Sequence, residues 1–254
     1  MASEKKLLIL GANSDIATAA AERFAREGWH LILASRNRER TETLCRRLSE
    51  RYRITASPIY FDALETASFL REYGKLESRA RGILIAHALP EPGDDPKVQK
   101  SPELSAERRV SACQSVIQTN FTSVVEILET LKHDSLLRDD GFICAISSVA
   151  GLRGRASNTI YGSSKAALNS YMSGLRNELA GKVHVMTVLP GFADTKMLKK
   201  TTPNVLTASP SRVADAMYRG IMKRREIIYV KKIWYLIMLV IRLIPEKLFK
   251  RMKL

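Results

Sequence analysis

The chain has 254 residues, of which 45% are hydrophobic, and a formal net charge of +15. That length and apolar content exclude a disordered segment and leave room for one large α/β domain with an ample core. The charge is uneven: residues 223–254 carry a balance of +8 against +7 in the preceding 222, which points the tail at nucleic acid or anionic lipid.

Cys45, Cys113 and Cys144 fall into no metal or redox spacing, so they are read as buried thiols in a reducing compartment, and no metal site is expected. The opening "MASEKKLLILGANSD" runs from a charged start into four apolar residues and a glycine turn, which is not the pattern of a secretory leader. A cytoplasmic location, free or peripheral on the cytosolic face of a membrane, is expected.

In chain order, "KKLLILG" (5–11) reads as a buried strand and "SDIATAAAERFAREG" (14–28) as a helix, with Ile16, Ala20 and Phe24 on one face and a glycine closing it. A second strand at 29–35 and helix at 38–52 follow, then a strand at 56–62 with a helix after it, and a fourth strand at 81–89. The loop "PEPGDDPKVQKSP" leads into a long helical segment around 103–132. Strands at 141–151, 183–191 and 226–230 enclose helices at 160–181 and 209–224. Alternating apolar strands and amphipathic helices predict an α/β fold: a single doubly wound parallel (Rossmann) sheet with helices on both faces. The expected organisation is a binding and catalytic domain over 1–230 and an apolar, basic helical tail over 231–254.

Such sheets bind ligands at the carboxyl ends of their strands. The first strand ends in "GANSDIA" (11–17), where Gly11 supplies a tight turn, and Gly11, Asn13, Ser14, Asp15 and Ile16 are read as a phosphate loop at a helix start. Asp15 and Ala17 stand where two further glycines would be expected. Asp15 suits a helix start, but its charge is unhelpful beside a phosphate unless it points away. At the end of the second strand, an acid would accept the ribose hydroxyls of NAD and an arginine would accommodate the extra phosphate of NADP. The chain has Ser35, Arg36 and Arg38 there and no acid, so NADP(H) is favoured over NAD(H).

Tyr161 is the only tyrosine with a lysine four residues on, and Tyr161 and Lys165 share one face at the start of a predicted helix. A free tyrosine has a pKa of about 10, so general acid–base work needs a neighbouring ammonium to stabilise its phenolate. Ser148, at the end of the fifth strand, is placed to hydrogen-bond a substrate carbonyl. Asn120, polar amid apolar neighbours in "QTNFTS", is expected to bend its helix or relay protons through water.

"LGANSDIA", "IAHAL", "QTNFT", "ISSVAG", "YGSSK" and "LPGFADT", in this order and spacing, resemble the short-chain dehydrogenase/reductase family over about residues 5–230. The resemblance implies a carbonyl or secondary-alcohol substrate, with Tyr161 as the acid/base. It makes Ser148 the catalytic serine rather than Ser147, because Ser148 precedes Tyr161 by thirteen residues. It further implies that Lys165 lowers the Tyr161 pKa and holds the nicotinamide ribose, and that Asn120 completes a proton relay. By the same likeness Asp62 contacts the adenine, Ala86 packs beside the ribose, and Pro190, Gly191 and Thr195 line the nicotinamide. A homodimer or homotetramer is implied as well. Ala86-His87-Ala88 replaces the family's usual Asn-Ala-Gly, and His87 is read as a loop residue lining the cofactor side rather than as a proton relay. Together with the altered glycine loop, this predicts weaker cofactor affinity than the family norm.

Nine consecutive apolar residues, Ile233 to Ile241, lie between Lys231–Lys232 and Arg242. A spanning helix needs about 20, so this one would have to be covered by protein or by the surface of a bilayer. "EKLFKRMKL" after Pro245 completes the pattern of an interfacial helix–kink–helix, and uninterrupted apolar residues argue for lipid and against nucleic acid. Within the family, "YFDAL", "YGSSKA" and "IRLIPEKLFKR" are similar to the decaprenylphosphoryl-2-keto-erythropentose reductases, which act with a flavin oxidase to epimerise a lipid-linked ribose. That likeness predicts a ketone on a lipid-linked sugar or other lipid, with Lys196, Met197, Leu198, Lys199 and Lys200 in the substrate loop suited to a lipid phosphate. The alternatives are a soluble reductase of a small or acyl-carrier-bound ketone with the tail as an oligomer seam, and a nucleotide-sensing protein without activity, against which the four catalytic candidates argue.

Overall fold

The computed structural model describes residues 5–77, 79–92, 106–133, 137, 141–198 and 204–252. Seven parallel strands form one sheet: β1 (Lys6–Leu10), β2 (His30–Ser35), β3 (Ala56–Tyr60), β4 (Gly82–Ile85), β5 (Phe142–Ile146), β6 (His184–Pro190) and β7 (Ile227–Val230). Their spatial order is β3-β2-β1-β4-β5-β6-β7. The chain winds outward one way from β1 and then resumes at β4 in the other direction. The carboxyl ends of β1 and β4 therefore border the crevice where the connections diverge.

Leu7, Leu8, Ile9 and Leu10 are all fully buried, as a central strand covered on both faces requires. Leu7 and Ile9 join Phe24, Leu44 and Met217 in the core beneath α1 (Asp15–Arg26), α2 (Arg38–Tyr52) and α7 (Pro210–Met222). Leu8 and Leu10 face the other way, onto Phe69 of α3 (Thr66–Gly74), Ile127 of α5 (Ser123–Leu131) and Leu168 of α6 (Thr159–Glu178). Among the described residues, N-cap side chains accept backbone N–H bonds at four of these helix starts: Ser14 at α1, Asn37 at α2, Glu65 at α3 and Ser209 at α7. Pro58 sits within β3, which its edge position allows.

The long helix expected around 103–132 is divided. Residues 103–105 lie outside the described residues, α4 covers Ala106–Ile117, a π-helical turn covers Gln118–Thr122, and α5 follows. The extra residue of a π turn re-aims one side chain, and here Asn120 lies within it. The strands expected at 81–89 and 141–151 end sooner, at Ile85 and Ile146, and the second gives way to a short helical turn at Val149–Leu152. The expected loop at 90–102 is described only as far as residue 92.

The tail forms α8 (Ile233–Leu243), a bend at Pro245 and the single turn α9 (Glu246–Phe249). No helix among the described residues is long and apolar enough to cross a membrane. Trp234 and Met238 on one side of α8 are buried with Val149 and Leu189, and Leu152, Phe192 and Ile241 pack against them. Trp234 lies so close to Gly191 that an added Cβ there would stand 1.9 Å from the indole. Arg153 holds the end of the tail: it donates to the carbonyls of Arg242 and Ile244, pairs with Glu246 at 2.7 Å and lies 4.3 Å over the Phe249 ring. The opposite side of α8 is open, with Leu236, Val240 and Leu243 60%, 63% and 74% exposed.

Candidate active site

Among the described residues, the cofactor and catalytic candidates lie in, or just beyond, the carboxyl ends of the strands, except Asn120, Tyr161 and Lys165, which stand on helices. Ser148 is buried at the start of the turn after β5, and its hydroxyl accepts from Ala150 N at 3.1 Å. Tyr161 and Lys165 stand in the first two turns of α6, with Lys165 Nζ 5.8 Å from the centre of the Tyr161 ring. Lys165 is 2% exposed, and its ammonium donates to Ile146 O at 3.1 Å.

Burial pushes the Lys165 ammonium down to about 8, because an apolar surrounding disfavours its charged form. Burial also raises the Tyr161 pKa, while Ser148, in reach of the hydroxyl, works in the other direction by favouring the phenolate. The ammonium was expected to lower the Tyr161 pKa. With no cofactor charge beside it, loss of solvent is the larger influence on Tyr161. Asn120 is fully buried: it accepts from Leu89 N at 2.7 Å and donates to Leu89 O and to Ser164 Oγ.

The residues expected on the cofactor side fit a dinucleotide on several counts. Gly11 has φ +81°, and a Cβ there would lie 2.7 Å from the His87 backbone, so only glycine allows β1 and β4 to approach this closely. Ser14 caps α1 and also donates to Ala86 O at 3.2 Å, tying the two loops that flank the crevice. The Asp15 and Ile16 amides at the helix start make no bond to the described residues and are left for an anion. Asp15 itself points away: its carboxylate accepts from Lys196 N at 2.8 Å, across to the segment after β6.

Ser35 is buried and, with Asn13, Thr41 and the Asn37 carbonyl, forms a hydrogen-bonded knot that fixes the turn after β2. Arg36, next in sequence, is exposed at the strand end. Asp62 caps its own turn by accepting from Leu64 N at 3.0 Å. Pro190 ends β6, Gly191 lies under Trp234, and Thr195 N closes a tight turn onto Ala193 O at 2.8 Å. Lys199 and Lys200 lie outside the described residues.

His87 was expected to line the cofactor side. Its backbone abuts the Gly11 turn, but its ring turns inward: Nε2 is 3.0 Å from Ser123 Oγ, the ring meets Phe61 edge-on at 4.9 Å, and Nδ1 is buried with no partner among the described residues. Burial, reinforced by the Lys165 charge, depresses the His87 pKa to about 3. Three groups at the site carried no sequence signal: Glu91, which meets the start of α6; Arg153, which grips the tail; and Trp234, which covers Gly191. Their partners are 70, 93 and 43 positions away, and no local spacing records them.

A parallel sheet in this strand order, a glycine turn facing β4 and a Ser-Tyr-Lys group at the strand ends define a dinucleotide-dependent oxidoreductase architecture. A profile of the short chain dehydrogenase family matches residues 5–206, and the chain belongs to that family. It is 32% identical over 255 residues to an uncharacterized oxidoreductase of Streptomyces coelicolor, covering 98% of this chain and 96% of that protein. It is 28% identical over 256 residues to an uncharacterized oxidoreductase of Mycobacterium tuberculosis, covering 97% and 96%. Among solved structures, a short-chain dehydrogenase from Sphingobium yanoikuyae in complex with NADPH has the same fold, with a TM-score of 0.75, 22% identity and coverage of 95% of this chain and 97% of that one.

The inward His87 makes a prediction about stability. Its folded pKa of about 3 lies below the ordinary 6.5, so the unfolded chain takes up its proton first as pH falls. His87 therefore contributes stability above pH ~6.5, and this is lost between there and pH ~3, with a slope approaching about 1.4 kcal/mol per pH unit. Urea unfolding between pH 7 and 4 should give a shallower acid decline for His87→Asn than for the wild type. Parallel declines would place the loss in other groups.

Proposed function

We propose that this oxidoreductase is an NADP(H)-preferring carbonyl reductase that works at a membrane surface on a ketone carried by a lipid. The observation that carries the chemistry is the convergence of Ser148, Tyr161 and Lys165 at the carboxyl end of β5. A bound nicotinamide dinucleotide supplies the hydride. Ser148 donates a hydrogen bond to the substrate carbonyl oxygen and holds it toward Tyr161, whose hydroxyl gives that oxygen its proton as negative charge develops there. The buried Lys165 ammonium stabilises the phenolate left behind.

Tyr161→Phe should lower kcat for ketone reduction by about 10²–10⁴-fold while NADPH binding is retained. In the wild type kcat should hold at neutral pH and fall as pH rises through about 8, where Lys165 gives up its proton. Unchanged turnover in Tyr161→Phe would remove the mechanism.

Arg36 supports the choice of cofactor, as an exposed guanidinium at the end of β2 where no acid stands. Arg36→Ala should weaken NADPH by more than about tenfold and NADH by less than about twofold. Equal effects, read by fluorescence titration, would rule out a phosphate role.

The outward stripe of α8 supports the membrane reading. Leu236, Val240 and Leu243 recur on one exposed side, with exposed Lys232, Arg242, Lys247, Lys250 and Arg251 around it. Each such side chain transferred into lipid contributes about 1.5 kcal/mol or more, and each cation about 1 kcal/mol at an anionic surface. We propose a lipid-linked sugar phosphate as the substrate class for an enzyme held at such a surface. Arg155, on the segment joining Ser148 to Tyr161, agrees with an anionic substrate, since its Nε is buried with no acceptor among the described residues. Truncation before α8 would strip Trp234 from the active-site loops, so the sharper test keeps the helix. Leu236→Ser/Val240→Ser/Leu243→Ser should abolish sedimentation with vesicles containing phosphatidylglycerol and leave reduction of a small soluble ketone intact. If wild-type protein stays in the supernatant and the triple variant changes only its oligomeric state, the stripe is a subunit seam.

A further inference from the structure

The segment after β4 reaches the catalytic helix in an unusual way. Asn158, at the N-cap position of α6, makes no side-chain capping bond. The first turn is capped from elsewhere: Glu91 accepts from Tyr161 N at 2.7 Å, from Ile160 N at 3.2 Å and from Thr159 Oγ1 at 3.4 Å. A carboxylate at a helix start satisfies orphan N–H groups and lies at the positive end of the helix dipole. Glu91 is 70 positions from Tyr161, so this cap joins two segments distant in sequence.

The far side of Tyr161 is held as well. Tyr161 O accepts from Ser164 Oγ at 2.7 Å, and Ser164 Oγ in turn accepts from Asn120 Nδ2 at 3.1 Å. Asn120 also grips Leu89 through both its backbone N and O, at 2.7 and 2.9 Å. Leu89 is two residues before Glu91. The hydrogen bonds therefore close a circuit that runs from Glu91 to the Tyr161 amide, from the Tyr161 carbonyl through Ser164 to Asn120, and from Asn120 through Leu89 back to Glu91.

We propose that Glu91 is a positioning residue for the acid/base: with Asn120 and Ser164 it clamps the Tyr161 backbone at both amide and carbonyl, and so sets where the hydroxyl stands relative to Ser148. The proposal rests on the reading of Tyr161 as the proton donor. A hydroxyl that must meet a developing oxyanion at hydrogen-bond distance loses rate steeply when its backbone drifts. Glu91 makes no bond to the phosphate loop among the described residues; that loop meets the same segment only upstream, where Ser14 donates to Ala86 O, so loss of the Glu91 cap should weigh on Tyr161 more than on cofactor binding. The circuit also gives Asn120 a second duty: its buried amide fixes the strap that carries Glu91, on the π turn that aims it there.

The test measures kcat, KM and NADPH affinity for Glu91→Ala, Glu91→Gln and, as a control, Tyr161→Phe. Glu91→Ala should lower kcat by about tenfold or more with the NADPH dissociation constant within about twofold of wild type. Glu91→Gln keeps an acceptor for the Tyr161 amide and should recover kcat to within about threefold of wild type. A wild-type kcat in Glu91→Ala would overturn the proposal. So would a parallel loss of kcat and NADPH affinity, which marks general disorder of the site, or a Gln variant no better than the Ala one. If Tyr161→Phe itself turns over normally, the reading of Tyr161 fails first, and the two failures are separable.

Discussion

Lys165 carries an ammonium to a place where water does not reach, and the arrangement around it follows from that. A buried cation whose one hydrogen-bond partner among the described residues is a carbonyl is poorly compensated, and its depressed pKa follows from that burial. Such a group persists only where the surrounding structure leaves it no other place. Here α6 is fixed at its first turn by Glu91 and Ser164, and the turn after β5 lies so close that a Cβ at Gly151 would stand 2.6 Å from the Lys165 backbone. Those constraints bring Lys165 and Tyr161 to one cavity and hold Ser148 beside them. A positive group kept short of partners is available to a phenolate when one forms.

Much of this was legible in the sequence, for identifiable physical reasons. Strands such as Leu7–Leu10 announce themselves because a central parallel strand is apolar on both faces, and the four-residue interval between Tyr161 and Lys165 fixes their common side on a helix. The oddity of Asp15 was legible too, as a carboxylate in a phosphate loop, and its resolution was not, since the partner is the Lys196 amide 181 positions on. The π turn at Gln118–Thr122 was signalled only by Asn120, a polar residue expected to bend its helix, and its form was not legible because a single inserted residue hardly disturbs an apolar periodicity. His87 was misplaced for a related reason. A loop of alanines and a histidine gives no direction, and only the packing of Phe61 and Ser123 turns the ring inward.

The tail is the clearest case in which composition was informative and still incomplete. Nine apolar residues in a row suggested a helix needing cover on all sides. In the fold, cover comes from protein along Trp234, Met238 and Ile241, and is absent along Leu236, Val240 and Leu243. Each set recurs at helical spacing, so the two faces are interleaved in the sequence and cannot be separated by hydropathy alone. The inner face leans on Val149 and Phe192, next to Ser148 and Gly191, and the outer face and the active-site loops are therefore parts of one packed unit.

Gly191 and Trp234 show what this unit means over longer times. With the indole in place, even a methyl group at residue 191 would stand 1.9 Å from a ring atom. Substitution there is open only to a lineage that has first exchanged Trp234 for something smaller, which would loosen the grip of the tail. The order of change is thus constrained to one direction, and a loop beside the reaction centre and a helix at the chain's end must diversify as a pair. Descendants that shed the tail would be free to remodel the loop, and those that keep it inherit the glycine with it.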